Sequence, residues 1–246
     1  MLELKNITFT LPDGKNITDN ISLTIPDGKM IAITGPNGGG KTTLAKLIIG
    51  IQRASSGQII FNGQDITDLS VSERANCGIS YGFQIPVTFK GFTVRDILNL
   101  AAGHELTLDE CNELLGTVGL CAHDYINREL NKSLSGGEMK RIEIASVLAR
   151  GDKTLLSIFD EPEAGIDLWS FRELIGVLEG IRSDKKRSQI IISHQERLLE
   201  TADEIILVAG GKIEAVGTPE KILPLLRMEN TSGCDCPKGR RVTVNE

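Results

Sequence analysis

The sequence lacks an excess of basic residues. Its 27 lysines and arginines are outnumbered by 33 aspartates and glutamates, which gives a formal net charge of −6 at pH 7. Sequence-independent binding to nucleic acids depends on clustered Lys and Arg side chains. The composition therefore argues against a nucleic acid as partner, and we expect none.

Long apolar runs are missing as well. A helix needs roughly 18 to 20 consecutive apolar residues to cross a bilayer, and no stretch of the sequence approaches that length. The amino end, MLELKNITFTLPDG, lacks the basic and then apolar layout of a signal peptide. We therefore expect a cytoplasmic protein, for which any membrane partner would be a separate chain.

Cysteine is scarce, and its spacing is irregular. The five cysteines form an odd number without the spacing of a disulfide framework, which is typical of a reducing compartment. Two of them, Cys234 and Cys236, lie in the segment SGCDCPKG near the carboxyl end. Two thiolates alone rarely complete a metal site. We weigh metal binding or thiol exchange there against a flexible tail with incidental cysteines, and we favour the tail.

What the chain does have is clear strand and helix patterning. LELKNITF and ITDNISLTI alternate apolar and polar residues and predict antiparallel strands. MIAITG predicts a buried strand, TTLAKLIIG predicts a helix ending at Gly50, and the spacing from about Thr93 to Arg150 predicts a helical insert. LLSIF and QIIIS, on either side of a helical segment, predict parallel strands buried on both faces. EIILVAGGKIEAVG predicts a closing hairpin.

A glycine-rich turn follows the strand MIAITG. GPNGGGKT matches G-x-x-x-x-G-K-[ST] between a predicted strand and a predicted helix. Its glycines allow backbone N–H groups to face phosphates at the positive end of the helix. Lys41 would neutralise the outer phosphates, and the hydroxyl of Thr42 would bind Mg²⁺. A turn that binds nothing is the alternative, which the other motifs disfavour. The candidate binding residues are Gly35, Pro36, Asn37, Gly38, Gly39, Gly40, Lys41, Thr42 and Thr43.

Two adjacent carboxylates follow the apolar strand in LLSIFDEP. Asp160 and Glu161 would emerge at its carboxyl end, where ligands bind in open α/β sheets. Asp160 would hold the water shell of Mg²⁺, and Glu161 would orient or deprotonate the attacking water, since phosphoryl transfer depends mostly on positioning and charge. A solvated acidic turn is the alternative, and the phosphate loop disfavours it.

The third motif is LSGGEMKR, in which Ser135, Gly136 and Gly137 would open a helix with outward-facing N–H groups. A capped surface helix is the alternative. With this motif the chain resembles the ABC ATPases from end to end. The resemblance implies an α/β fold: a P-loop NTPase of the ABC cassette type with a RecA-like core, an antiparallel β subdomain and a helical subdomain. It implies a cassette over residues 1–228, with core and β subdomain at about 1–84 and 151–228 and the helical subdomain at about 85–150. Residues 229–246 would be a flexible tail.

The resemblance also implies the remaining roles. The signature residues Ser135, Gly136 and Gly137 would face the γ-phosphate held by a second cassette, so that a homodimer completes each site. Gln84 would contact the metal and the attacking water, and His194 the γ-phosphate. The segment AGID would cross the dimer interface, with glycine where alanine is commoner. The implied cofactors are ATP and Mg²⁺.

One expected residue is missing. ABC ATPases usually stack adenine on an aromatic side chain shortly before the phosphate loop, and by register that position falls on Leu11. Leucine gives up a stacking energy of about 1 to 3 kcal/mol per base. We therefore expect weak ATP binding by the isolated chain.

Two kinds of ABC ATPase fit the sequence. The segments YGFQIPVTFKGFTV and DEPEAGID, together with Lys140 and Arg141 after LSGGE and the segment HQERLLE, resemble the SufC group, the ATPases of iron–sulfur cluster assembly. That resemblance implies a SufB-like scaffold protein as partner, reshaped when two cassettes close on ATP. In contrast, FTVRDIL resembles transporter cassettes and favours a membrane permease subunit as partner. We favour the SufC-like assignment.

Overall fold

The computed structural model describes residues 1–85, 87–131, 133–182 and 187–231, without the side chains of residues 168–170, 182 and 228–231. The strands are β1 (Leu2–Thr10), β2 (Asn16–Ile25), β3 (Met30–Thr34), β4 (Ser56–Phe61), β5 (Gln64–Asp65), β6 (Ile79–Gly82), β7 (Leu156–Asp160), β8 (Ser188–Ile192), β9 (Glu204–Ala209) and β10 (Lys212–Gly217). The helices are α1 (Lys41–Ile49), α2 (Val71–Asn76), α3 (Val94–Ala102), α4 (Leu108–Thr117), α5 (Ala122–Tyr125), α6 (Gly136–Ala149), α7 (Leu168–Arg182), α8 (Glu196–Thr201) and α9 (Pro219–Thr231).

A six-stranded sheet forms the centre of the fold, in the order β10-β9-β3-β8-β7-β6. The five strands from β9 to β6 are mutually parallel, and β10 closes one edge as an antiparallel hairpin with β9. Every residue of β3, β7 and β8 is buried. In β3, Ile31 and Ile33 pack with α1 on one face, whereas Met30 and Ala32 join other apolar clusters. Burial on both faces explains why these strands are continuous apolar runs.

An antiparallel sheet lies beside it, in the order β2-β1-β4-β5. Leu4 of β1 pairs with Leu23 of β2 and with Ile59 of β4, so the inward positions of three strands are in register. These residues share an apolar cluster with Leu44 of α1. The two sheets therefore enclose the helix that follows the glycine-rich turn.

Helices α3, α4 and α6 pack together in the region predicted as a helical insert. Leu98, Leu115 and Ile142 come from three different helices and lie in one buried cluster. The cluster also includes Met30 and Phe159 from the central sheet. The insert therefore packs against the central sheet, with α6 next to β6.

The carboxyl end differs from the sequence expectation in one respect. Helix α9 continues to Thr231, so its last turn occupies the first residues of the tail that we predicted from Glu229. Cys234 and Cys236 lie outside the described residues. Across the described ranges, none of the helices combines the length and the apolar character needed to cross a membrane.

Candidate active site

The predicted site residues lie where four neighbouring parallel strands end. The glycine-rich loop follows β3, His194 follows β8, Asp160 ends β7, and Gln84 follows β6. Because these strands are adjacent and parallel in the sheet, their carboxyl ends meet at one edge. This edge is the usual ligand position in open α/β sheets.

The glycine-rich loop is shaped by close backbone contacts. Gly35 has φ of 136°, and a Cβ there would overlap the carbonyl oxygen of Val208. Gly40 precedes α1 with φ of 104° and offers no side-chain cap. The N–H groups in the first turn of α1 are therefore left for another acceptor. Four other helices, α2, α3, α4 and α6, begin with capping boxes, formed by Ser70 with Glu73, Thr93 with Asp96, Thr107 with Glu110 and Ser135 with Glu138.

Lys41 is a buried cation in the mouth of this loop. It is 6% exposed, and its Nζ donates to the carbonyl oxygens of Gly35 at 2.7 Å and Pro36 at 2.9 Å. Burial lowers the pKa of Lys41, while the negative charges of Glu161 and Asp160 oppose that shift. Within the described part of the chain, no carboxylate forms an ion pair with it. A phosphate group would supply the missing negative charge.

A polar cavity of about 350 Å³ opens in front of the loop. This volume lies in the range of small-ligand sites. At Gly38, where φ is 77°, a Cβ would point into open space. Backbone N–H groups, the ammonium and two threonine hydroxyls thus surround a space that fits a polyphosphate. The lining residues are Ile17, Asn37, Gly38, Gly39, Gly40, Lys41, Thr42, Thr43, Gln84 and Glu161.

Asp160 is fully buried and holds two hydroxyl groups. Its Oδ1 accepts from the Thr42 hydroxyl at 3.2 Å, and its Oδ2 accepts from the Tyr81 hydroxyl at 2.9 Å. Burial raises the pKa of Asp160, and the two hydrogen bonds oppose that shift. A hydroxyl beside a carboxylate is a donor set that suits Mg²⁺, which takes few protein ligands and keeps several waters. The pair Thr42 and Asp160 therefore fits the metal implied by the sequence.

Glu161 adopts an unusual backbone conformation. Its φ is 47°, a left-handed value uncommon for residues other than glycine and often found at functional sites. Its amide donates to the carbonyl oxygen of Ile192 at 2.9 Å, which ties β7 to β8 at this point. Gln84 Nε2 donates to Glu161 Oε2 at 2.6 Å, and His194 Nε2 lies 3.5 Å from Glu161 Oε1. The structure thus brings the three predicted catalytic residues together.

His194 is 40% exposed at the rim of the site. Partial burial lowers its pKa, the positive charge of Lys41 adds to the effect, and Glu161 opposes it. The lowered pKa favours the neutral form of the imidazole. The preceding residue, Ser193, donates from its hydroxyl to Glu163 Oε1 at 2.5 Å. This bond joins the loop after β8 to the loop that follows Glu161, and no pattern in the sequence predicts it.

The signature residues open α6 but do not reach the phosphate cavity of their own chain. Ser135 caps the helix: its hydroxyl accepts from the Glu138 amide at 3.2 Å, and its own amide donates to Glu138 Oε2 at 2.6 Å. The Tyr125 hydroxyl donates to the other oxygen of Glu138, and these bonds lower the pKa of Glu138 to about 2. Ser135 and Gly136 are exposed. Within one chain, then, the helix start faces solvent.

Three side chains near the site were not predicted as functional. Tyr81 binds Asp160, as described, and Lys140 and Glu143 of α6 both contact the backbone of Phe83. The alternation of β6 could have indicated that Tyr81 and Phe83 share a face. Nothing in the sequence indicates which residues that face meets.

The chain is similar in sequence to known ATP-binding proteins. A family model described as ABC transporter matches residues 18–164. An uncharacterized ABC transporter ATP-binding protein of Methanocaldococcus jannaschii is 39% identical over 199 residues, which cover 78% of each chain. The sulfate/thiosulfate import ATP-binding protein CysA of Synechocystis is 35% identical over 227 residues, which cover 89% of this chain and 57% of that protein.

The fold has close counterparts among solved structures. The ATP-binding cassette MJ0796, solved as a dimer in a post-hydrolysis state with ADP and Pi, superimposes with a TM-score of 0.80 at 21% identity. The match covers 89% of this chain and 99% of that one. It confirms the cassette fold predicted from the sequence. With the family match over the phosphate loop, the signature and the paired carboxylates, this chain belongs to the ABC transporter family of ATP-binding proteins and is an ATPase that uses ATP with Mg²⁺.

Proposed function

We propose that Glu161 is the general base for ATP hydrolysis at this site. The carrying observation is its carboxylate, held between Gln84 and His194 beside the Thr42 and Asp160 pair. Glu161 takes a proton from the attacking water as its oxygen bonds to the γ-phosphorus, and the bond from that phosphorus to the bridging oxygen of ADP breaks. Lys41 and the N–H groups of the glycine-rich loop hold the phosphates. Thr42 and Asp160 would hold Mg²⁺, which would offset negative charge on the phosphate oxygens.

The complete site needs two copies of the chain. The start of α6 at Ser135 and Gly136 is exposed and does not line the phosphate cavity. The N–H groups there form an anion receptor that a second copy can present to the γ-phosphate. A Cβ at Gly137 would lie 3.4 Å from the carbonyl oxygen of Gly165. The signature therefore lies against the segment AGID, which supports their sharing of one dimer interface.

The substitution of Glu161 by Gln tests both points. The amide keeps the shape of the side chain but cannot accept a proton, so turnover should fall by about 10² to 10⁴-fold. ATP should then accumulate unhydrolysed and hold two copies together, which size-exclusion chromatography with ATP and Mg²⁺ would detect. The exposed Glu105, changed to Gln, is the matched control. Turnover close to that of the unaltered chain in Glu161→Gln would refute the assignment.

For the partner, we propose a SufB-like scaffold in iron–sulfur cluster assembly. The support is the sequence resemblance around Gln84 and in DEPEAGID. An apolar cavity of about 280 Å³ lies beside the same segment. Because the segment leads directly from Gln84, a partner seated there is mechanically linked to Glu161. The side chains lining this cavity include Tyr81, Phe83, Val87, Phe89, Leu100 and Met139.

A membrane permease is the second candidate. The relative from Synechocystis is named as the ATP-binding protein of a sulfate/thiosulfate importer, which favours this alternative. Purification of the tagged chain from its own cells under anaerobic conditions, followed by identification of the bound protein, distinguishes the two. A soluble scaffold that carries iron supports the assembly function. A protein with several apolar 20-residue segments overturns it in favour of transport.

A further inference from the structure

Helix α6, which begins with the signature residues, binds the backbone of Phe83, the residue before Gln84. The amide of Phe83 donates to Glu143 Oε1 at 2.8 Å, and the carbonyl oxygen of Phe83 accepts from Lys140 Nζ. Lys140 and Glu143 lie one turn apart on α6 and form an ion pair of 3.1 Å between Nζ and Oε2. Both polar groups of one residue are therefore bound by a single pair of charged side chains.

This ion pair is buried. The side chain of Lys140 is 1% exposed and that of Glu143 is 12% exposed. Burial raises the pKa of Glu143, and the charge of Lys140 and the Phe83 amide oppose that shift. Removal of two charges from water is unfavourable, and a well-packed apolar pair would stabilise a fold at least as well. Stability alone therefore does not account for the pair.

The position of Phe83 suggests what the pair does. Tyr81, two residues earlier, donates to Asp160, and Gln84, the next residue, donates to Glu161. Phe83 is 36% exposed, and its ring makes an edge contact with that of Tyr81 at 4.8 Å between centroids. Phe83 is thus fixed through its backbone. Its peptide groups lie between Tyr81, which binds Asp160, and Gln84, which binds Glu161.

We propose that Lys140 and Glu143 are positioning residues for ATP hydrolysis, which hold the backbone of Phe83 so that Gln84 meets Glu161. The inference rests on the proposed role of Glu161. It adds that a displacement of α6, whose start faces the second copy in the proposed dimer, moves Phe83 and Gln84 in the site of the same chain. Neither Lys140 nor Glu143 lines the phosphate cavity.

Loss of the contacts between α6 and Phe83 should lower kcat without a comparable change in KM for ATP. In Glu143→Ala the Phe83 amide loses its acceptor, and kcat should fall by at least about 10-fold, since small misplacements of reacting groups are costly. The phosphate loop is untouched, so KM for ATP should stay within about threefold. Glu143→Gln keeps an acceptor oxygen and should recover part of kcat. Lys5→Met, which breaks an exposed pair with Glu3 of the same 3.1 Å length, is the matched control and should change neither constant.

A double variant distinguishes positioning from folding. Lys140→Met with Glu143→Leu replaces the ion pair by apolar side chains, so thermal stability should return towards that of the unaltered chain. Its kcat should stay low because the backbone of Phe83 is still released. Full recovery of kcat in the double variant would overturn the proposal.

Hydrogen exchange without nucleotide provides a test that does not depend on turnover. Amides in residues 82–85 should exchange faster in Glu143→Ala than in the unaltered chain or in Lys5→Met. Faster exchange with unchanged kcat would overturn the positioning role and leave Glu161 as the base. If Glu161→Gln retains full turnover while exchange responds as expected, the proposed base is wrong and the contact between α6 and Phe83 stands.

Discussion

Gln84 donates its side-chain amide to Oε2 of Glu161 at 2.6 Å, while His194 lies 3.5 Å from Oε1 of the same carboxylate. Each oxygen of Glu161 thus has one polar neighbour, contributed by the ends of two different strands. A carboxylate oriented in this way can accept a proton only from a water in a defined place. If Glu161 is the base, as we propose, Gln84 should therefore determine the rate of hydrolysis rather than the affinity for ATP.

The first prediction concerns Gln84. Gln84→Ala should lower kcat by about 100-fold, the scale on which positioned polar groups act in transition states, with a smaller change in KM. Gln84→Glu should be at least as slow, because a carboxylate cannot donate the hydrogen bond that the Gln84 amide gives to Glu161. Steady-state ATPase kinetics measure both. Gln64→Ala, an exposed glutamine on β5, is the control, and equal rates for Gln84→Ala and the control would contradict the prediction.

The second prediction concerns Arg74, which is 2% exposed. Its guanidinium donates four hydrogen bonds to backbone carbonyls, two of them at the end of α1, on Leu47 and Ile48. Arg74→Met removes all four of these donors, and within the described residues only Leu47 keeps another one, the Gly50 amide at 3.3 Å. The free energy of unfolding should therefore fall by about 3 kcal/mol or more. Arg74→Lys keeps the charge but has fewer donors, so its free energy of unfolding should lie between those of Arg74→Met and the unaltered chain. Urea denaturation measures the change.

The matched control for Arg74 is an arginine on the surface. Arg53 is 77% exposed and lies 3.7 Å from Asp68. Arg53→Met should change the free energy of unfolding by less than about 0.5 kcal/mol, as is usual for surface substitutions. Similar losses in the two variants would show that the carbonyls at the end of α1 do not need Arg74.

The sequence predicted the parts of the fold whose signal is local. Buried strands such as MIAIT and SQIII are apolar throughout, and the phosphate loop, Asp160 and Glu161 follow such strands directly. Helix α9 was missed, and so were the short elements β4, β5, α2 and α8, of six, two, six and six residues. Elements of that length do not show a reliable period.

Contacts between residues far apart in the chain could not be predicted from the sequence. The spacing of Lys140 and Glu143 is that of an exposed ion pair along a helix, and only the packing of α6 against β6 shows that the pair is buried on Phe83. The burial of Arg74 likewise depends on carbonyls that lie 26 and 27 residues away in sequence. Such roles are set by tertiary contacts rather than by motifs.

The third prediction concerns Leu11, in the turn that joins β1 to β2. Its amide donates to the carbonyl oxygen of Lys15 at 2.9 Å, and its carbonyl accepts from Gly14 at 2.9 Å. An aromatic ring there should add a stacking energy of about 1 to 3 kcal/mol with adenine. Leu11→Tyr should therefore lower Kd for ATP by about 5- to 150-fold, as measured by calorimetry with Glu161→Gln in both proteins. Leu11→Met is the control without a ring, and equal affinities for Tyr and Met would show that position 11 does not contact the base.

The fourth prediction concerns the pH dependence of stability. Burial raises the pKa of Glu163 above its value in the unfolded chain, although the Ser193 hydroxyl opposes the shift. The folded state therefore holds this proton more tightly than the unfolded state. The resulting stability is complete below the unfolded pKa and is lost as the pH rises through the folded pKa. Glu163→Gln keeps an oxygen for Ser193 but cannot ionise. Its free energy of unfolding should therefore rise relative to that of the unaltered chain as the pH increases from 5 to 8. Urea denaturation at each pH measures this difference. Glu105→Gln, at an exposed position, is the control, and its free energy of unfolding should follow that of the unaltered chain at every pH. If Glu163→Gln also followed the unaltered chain, Glu163 would titrate alike in the folded and unfolded states.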